Sequence, residues 1–263
     1  MNFWEAIIAL LFAFALGMSL GSFINVLVYR LRMGISILGR SYCPECKTRI
    51  KPKHLVPVIS WIVLNGRCVT RESRINFQYP LVEFISGVIA MVVMARYFPF
   101  TSGFADLNLA LFELAFALTL VFLAVFDWRW KLLPIEFMIG ATILFGGWSA
   151  LTNGSLQPFI FGIAFGAVFL GLQVLLSRGK WMGAGDPWLG ALLGAGLGWP
   201  NVGVGMYLTY LIGGFLVFVL LLIGLVKRQS RIPFAPLLAI GGISALWFGE
   251  AIGLWFARAA GLI

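Results

Sequence analysis

Long uninterrupted apolar runs constrain this chain more than any other feature. They fall at 4–28, 80–98, 107–126, 132–152, 157–177, 203–226 and 235–257, with a shorter one at 187–199. Most approach the roughly 20 residues that a helix rising about 1.5 Å per residue needs to cross a bilayer core about 30 Å thick. Composition agrees: 61% of the 263 residues are hydrophobic and only 11% are charged, against about 25% charged in a soluble domain. The surplus apolar surface requires lipid. The expected fold is therefore all-α, a polytopic membrane protein of about eight transmembrane helices with one cytoplasmic loop subdomain. The expected partition is a first transmembrane helix over 1–28, a cytoplasmic loop over 29–78, and a transmembrane catalytic helical bundle over 79–263. The short run at 187–199 is read either as a half-span or as a tilted segment continuing past Pro200.

The net charge of +9 does not signal nucleic acid, because the basic residues sort by membrane side. In the eight-span arrangement all 19 Lys and Arg except Arg96 and Arg258 fall on the side that carries the 29–78 loop. The positive-inside rule makes that side cytoplasmic, and the same loop is expected to contact anionic lipid headgroups. Cys43, Cys46 and Cys68 all lie in this loop; a reducing compartment makes them poor candidates for a disulfide. The opening Met1-Asn2-Phe3-Trp4-Glu5 lacks the basic leading region of a secretory signal peptide, so the first helix is expected to be retained. Trp4, Trp61, Trp128, Trp130 and Trp199 sit near expected boundaries, as interfacial tryptophans do.

Within this apolar background two acids stand out. Asp127 ends the run Leu118–Phe126, and Asp186 closes Gly183-Ala184-Gly185-Asp186 just before another apolar run. An ionisable group at the edge of a membrane segment is a functional-site candidate with a partner to be named. The expected topology crosses out after Asp127 and returns just before Asp186, placing both at one face and at similar depth. Neighbouring carboxylates cannot both ionise cheaply; one stays protonated while the other serves as a base toward water, as in aspartic proteases. That chemistry needs no metal. Gly183 and Gly185 are expected to let an extended substrate strand approach the backbone. G-x-x-x-G spacings at Gly17/Gly21, Gly162/Gly166, Gly190/Gly194 and Gly194/Gly198 favour close helix contacts.

The inventory removes other mechanisms. H-E-x-x-H needs two histidines and only His54 is present. A Ser–His dyad would have to use that same loop histidine. Neither a P-loop nor a dinucleotide fingerprint occurs, and Trp188 stands where the latter would need its third glycine. The ordinary reading of each aspartate is a helix terminus: Asp186 as a cap, and Asp127 as an interfacial acid balanced by Arg129 or Lys131. Glu83 reads as a residue that snorkels to the cytoplasmic interface or helps form a substrate or methyl-donor site, the interfacial role being the simpler; Glu113 reads as pairing with a neighbouring helix or facing water and receives no role.

An ordered set of segments across almost the whole chain resembles the type IV prepilin peptidases, bacterial leader peptidases and N-methyltransferases of the GxGD class of membrane aspartic proteases. The set is Gly21-Ser22-Phe23-Ile24-Asn25-Val26-Leu27-Val28-Tyr29-Arg30-Leu31, Cys43-Pro44-Glu45-Cys46, Val56-Pro57-Val58-Ile59-Ser60-Trp61, Gly66-Arg67-Cys68, Tyr79-Pro80-Leu81-Val82-Glu83, Phe126-Asp127, Gly183-Ala184-Gly185-Asp186 and Ile232-Pro233-Phe234-Ala235-Pro236. The resemblance implies Asp127 and Asp186 as catalytic and cleavage of a short basic leader from pilin-like precursors on the cytoplasmic side of the bacterial inner membrane. It also implies methylation of the new N-terminus from S-adenosylmethionine.

Three departures qualify the match. The second C-x-x-C of the family pattern reads Cys68-Val69-Thr70-Arg71, so the fourth zinc ligand is missing, and arginine does not replace it. Zinc on Cys43, Cys46 and Cys68 would need His54 or water as its fourth ligand. Trp188 stands where the family has a basic residue, and Ile135 where it often has an acidic one. A transporter or channel is the alternative reading; it predicts an internal repeat and mid-membrane charges, neither of which is found. A third is a non-catalytic assembly factor, for which loss of either aspartate would leave precursor processing unchanged.

Overall fold

The structure is a computed structural model and describes all residues except 1–2, 44–45, 71–72, 181, 228–231, 260 and 262–263. Pro44, Glu45, Arg71, Arg228 and Arg231 of the sequence reading thus lie outside the described residues. The elements are α1 (Phe3–Met33), α2 (Ile59–Val63), α3 (Gln78–Tyr97), α4 (Phe104–Trp130), α5 (Ile135–Asn153), α6 (Gln157–Leu176), α7 (Asp186–Leu197), α8 (Asn201–Leu222) and α9 (Ala235–Ala259). Seven of them are long and apolar enough to cross a membrane, the exceptions being α2 and α7. The expectation of a polytopic helical membrane protein holds. The short run at 187–199 does not continue into the next helix: α7 ends at Leu197, and Gly198 turns the chain at φ 66°, a conformation that costs glycine little.

The chain divides into two compact units, Met1–Val125 and Phe126–Ile263, with the division inside α4. In the first unit, α1 and α3 run antiparallel along a seam of small residues. A Cβ at Gly17 would collide with the Ser86 carbonyl and with Ala90, and one at Gly21 would lie 2.8 Å from the Glu83 Cα. Helix α1 rises about 46 Å at about 1.5 Å per residue, more than a hydrocarbon core requires. Its overhang is anchored by the buried Arg30, whose guanidinium donates to the carbonyls of Ser36, Ile37, Gly39 and Arg40. A charge that reads as a topology signal therefore also folds the chain back after the helix.

The segment between α1 and α3 holds a 3-10 turn (Pro52–His54), α2, and two isolated antiparallel bridges, Tyr42 with Arg49 and Arg67 with Arg74. Trp61 lies in α2 within this segment. Its ring lies over Gly66, and its indole donates to the Ile75 carbonyl at 3.1 Å.

In the second unit, α6 and α7 are antiparallel and in backbone contact. Added Cβ atoms at Gly166 and Gly190 would each overlap the other's backbone, and so would those at Gly162 and Gly194. The G-x-x-x-G pairs thus meet each other, two on each helix. Helices α8 and α9 pair the same way through Gly241, which packs against Thr209 and the Gly205 carbonyl. Without a hydrophobic force between helices in lipid, such close packing is the main source of association.

Candidate active site

Asp127 and Asp186 both belong to the second unit, and both are buried, at 9% and 6% exposure. Asp186 is the first residue of α7, preceding the short apolar segment and outside the seven spans. The turn that leads into it is closed reciprocally: the Gly183 amide donates to Asp186 Oδ2 at 2.7 Å, and the Asp186 amide donates to the Gly183 carbonyl at 3.1 Å. Pro187 follows inside the first turn, where its missing N–H costs nothing. The G-x-G-D sequence is thus a helix start that folds its own carboxylate against its own backbone.

Asp127 sits in the last turn of α4, and the Ala235 amide at the start of α9 donates to its Oδ2 at 3.0 Å. The Phe234 amide also reaches this carboxylate, and Lys131 lies within electrostatic range. Amides at a helix N-terminus favour an anion, so the Ile232-Pro233-Phe234-Ala235-Pro236 segment serves as the cradle of the first aspartate. Sequence reasoning had marked this segment only as part of the resemblance.

The two acids sense one another. Burial, opposed by the Gly183 amide and reinforced by the negative charge of Asp127, pushes the Asp186 carboxyl up to about 6. Among the described residues neither aspartate forms a salt bridge, and backbone amides donate to both. This is the electrostatic setting that holds a proton on one member of a pair.

Of the candidate substrate-binding glycines, Gly183 carries the amide that holds Asp186, and a Cβ there would lie 3.7 Å from Asp186 Oδ2. Gly185 faces the Leu133 side chain, which a Cβ would meet at 3.1 Å. Gly185 thus makes room for a neighbouring residue of the same chain.

The loop cysteines converge in the first unit. The sulfur atoms of Cys43, Cys46 and Cys68 all lie within 4.8 Å of one another, with Cys46 Sγ 3.8 Å from Cys68 Sγ. His54 is not part of that group. The Thr48 hydroxyl and amide lower the Cys46 thiol to about 7. Three soft donors at this spacing fit three corners of a tetrahedral zinc site. The residue at the fourth position, Arg71, is outside the described residues.

Two further acids of the first unit find partners. Glu83 is buried, and its Oε2 accepts the Val58 amide at 2.7 Å, with Ser22 as a further partner. It thereby pins a residue held at φ 60°, a costly conformation for a β-branched side chain. Glu113 accepts the Tyr97 hydroxyl at 2.7 Å and pairs with Arg96 Nε at 3.3 Å.

Two buried aspartates held by backbone amides in a polytopic membrane protein are the groups that an intramembrane aspartic peptidase would use. Comparison with known proteins gives the family. Residues 15–97 match the bacterial peptidase A24 N-terminal domain, and residues 114–222 match the type IV leader peptidase family. The chain is 31% identical to a prepilin leader peptidase/N-methyltransferase of Pseudomonas putida over 91% of both chains. It is 32% identical to one from Burkholderia pseudomallei, over 91% of this chain and 85% of that one. A protein of the same name from Bacillus subtilis is 28% identical over 94% of this chain and 97% of its own. No solved structure matches the chain. The chain belongs to the type IV leader peptidase family. It is accordingly a membrane peptidase, and the transporter or channel reading is not favoured.

Proposed function

We propose that this protein removes the short basic leader of type IV prepilin or pseudopilin precursors at the cytoplasmic face of the bacterial inner membrane, with Asp127 and Asp186 as its acid–base pair. The single observation that carries the assignment of these residues is that both carboxyls are buried in the same unit and held by backbone amides, with the charge of Asp127 acting on Asp186. The relatives' names supply the substrate class. Asp127 is assigned as the base because the Ala235 amide at the start of α9 donates to its carboxylate, and hydrogen bonds to a carboxylate favour its charged form. Asp186 is the member that retains a proton.

In this reading Asp127 takes a proton from water as the water oxygen attacks the scissile carbonyl. Asp186 donates its proton to the developing oxyanion; the C–N bond then breaks as Asp186 recovers a proton from the gem-diol and Asp127 passes its proton to the leaving amine. No metal enters these steps, since the two carboxylates supply both acid and base. The positive-inside pattern supports the cytoplasmic location. The basic cytoplasmic loop would meet anionic lipids there.

The relatives' names also include N-methyltransferase, and we extend that activity to the new N-terminus released here. S-adenosylmethionine is implied as its donor by the resemblance alone, and no step is assigned through it. Zinc, if bound, would be held by Cys43, Cys46 and Cys68 and would order the loop of the first unit.

Co-expression with a prepilin precursor followed by intact-mass analysis tests both activities. The expected product is the precursor shortened by its leader and heavier by one methyl group at the new N-terminus. A double Asp127→Asn, Asp186→Asn protein that still cuts the precursor overturns the dyad, and an unmodified mature N-terminus overturns the methylation.

A further inference from the structure

The second unit carries a polar pair that the catalytic dyad does not use. Tyr210 on α8 donates its hydroxyl to Gln173 Oε1 on α6 at 2.7 Å, and Gln173 Nε2 donates back to the Phe169 carbonyl at 3.2 Å. Both residues interrupt strongly apolar helices. The neighbouring Thr209 shows what a purely structural polar residue looks like here: it is 1% exposed and its hydroxyl closes onto the Gly205 carbonyl. Tyr210, by contrast, is 41% exposed.

The placement of Tyr210 links it to both aspartates. It lies within electrostatic reach of Asp186. Its ring centroid is 6.1 Å from that of Phe234 and 5.9 Å from that of Phe169. Phe234 precedes Ala235, whose amide holds Asp127. A half-exposed phenol and a carboxamide therefore stand beside the dyad, between the element before Asp186 and the element that cradles Asp127.

A peptidase acting at a membrane must bind its scissile segment extended, and an extended segment loses its internal backbone hydrogen bonds. In an apolar setting each such group must find a partner. By releasing its bond to Gln173, the Tyr210 hydroxyl can donate to one substrate carbonyl, and the freed Gln173 Oε1 can accept one N–H. We propose that Tyr210 and Gln173 form a substrate subsite that hydrogen-bonds the backbone of an extended peptide strand at the dyad, with Phe169 and Phe234 walling it. This rests on the peptidase reading of Asp127 and Asp186.

Hydrogen bonds to the backbone flanking the scissile bond are made before and during the reaction, so their loss raises KM and leaves kcat nearly unchanged. For Tyr210→Phe and for Gln173→Leu the expected rise in KM for a purified type IV prepilin is about three- to tenfold, with kcat within about twofold. A variant carrying the photo-crosslinker p-benzoylphenylalanine at position 210, combined with Asp186→Asn, is expected to crosslink to the uncleaved prepilin, and excess unlabelled prepilin should suppress the product.

An unchanged KM in both variants overturns the subsite. So does a fall in kcat at constant KM, which would place Tyr210 on the aspartates instead, or an absence of crosslinking at position 210. The crosslinking arm needs no turnover and keeps the proposal testable if a truncated side chain harms folding. Failure of the wild-type protein to cut the prepilin would strike the peptidase reading itself, whereas cleavage without these effects would strike only the subsite.

Discussion

Glu113 of the first unit and the aspartate pair of the second are buried carboxylates held under opposite rules. In the first, Glu113 meets a cation and a phenol, Arg96 and Tyr97, from the end of the preceding helix. In the second, Asp127 and Asp186 meet backbone amides and one another's field, with no salt bridge among the described residues. A carboxylate matched to a cation has its charge settled and serves as a strut. A carboxylate held by neutral donors beside a second acid retains a choice of protonation state, which is what proton-transfer chemistry requires. Burial is similar in the two cases, at 6% exposure for Glu113 and for Asp186, so depth alone does not separate a structural acid from a reactive one.

The sharpest way to break that contrast is to remove one acid of the dyad. Asp127→Asn or Asp186→Asn keeps size and hydrogen-bonding shape but cannot shuttle the proton, and precursor cleavage should fall by about 10²- to 10⁴-fold or more. Intact mass of the co-expressed precursor measures it, alongside unchanged membrane insertion of the variant. Cleavage at the wild-type rate would make the second unit's acids structural too.

The next effect concerns what positions Asp186. A Cβ at Gly190 would strike the backbone of Gly166, so Gly190→Val should separate α6 from α7 and destabilise the fold by about 1–3 kcal/mol. The expected readout is a lower thermal unfolding temperature in detergent, with cleavage falling as well because α7 begins at Asp186. Gly140, with open space where its Cβ would go, is the control, and Gly140→Ala should change neither measurement.

A smaller change tests the other half of the comparison. Glu113→Gln removes the charge facing Arg96, whose side chain is 37% exposed, so solvent screening limits the loss to about 1 kcal/mol. Unfolding should shift down by a few degrees while kcat and KM for cleavage stay unchanged. A loss of cleavage out of proportion to stability would make Glu113 part of the machinery.

The smallest expected effect is that of chelation. Stripping any metal from the thiols of Cys43, Cys46 and Cys68 should leave cleavage near its starting rate, because the dyad carries both acid and base. Metal analysis before and after treatment, paired with a cleavage assay, checks this. A collapse of cleavage that added zinc restores would tie the loop of the first unit to the chemistry of the second.

Much of this architecture was legible along the chain, for reasons that can be traced residue by residue. Apolar runs become helices because lipid offers no partner to an open backbone, and length against bilayer thickness then separates α7, at 12 residues, from the seven spans. Helix ends were less legible. The run at 4–28 extends to Met33 because Arg30 is held by the carbonyls of the chain that follows it. Likewise, small-residue spacings announced close contacts but not their partners. Gly17 and Gly21 meet Ser86 and Glu83, whereas Gly162 and Gly166 meet Gly194 and Gly190.

What the sequence determined by itself was the class of molecule and the isolation of two acids in its apolar background, because hydrophobicity, cation placement and the positions of Asp127 and Asp186 are properties that no folding step can alter. What only the tertiary structure decided was which groups those acids meet. The amide that holds Asp127 comes from Ala235, 108 positions away, and the phenol near Asp186 comes from Tyr210. Such contacts depend on how helices pack side by side, a matter of shape at a few glycines and aromatic rings, and spacing along one helix carries no record of the neighbour it will find.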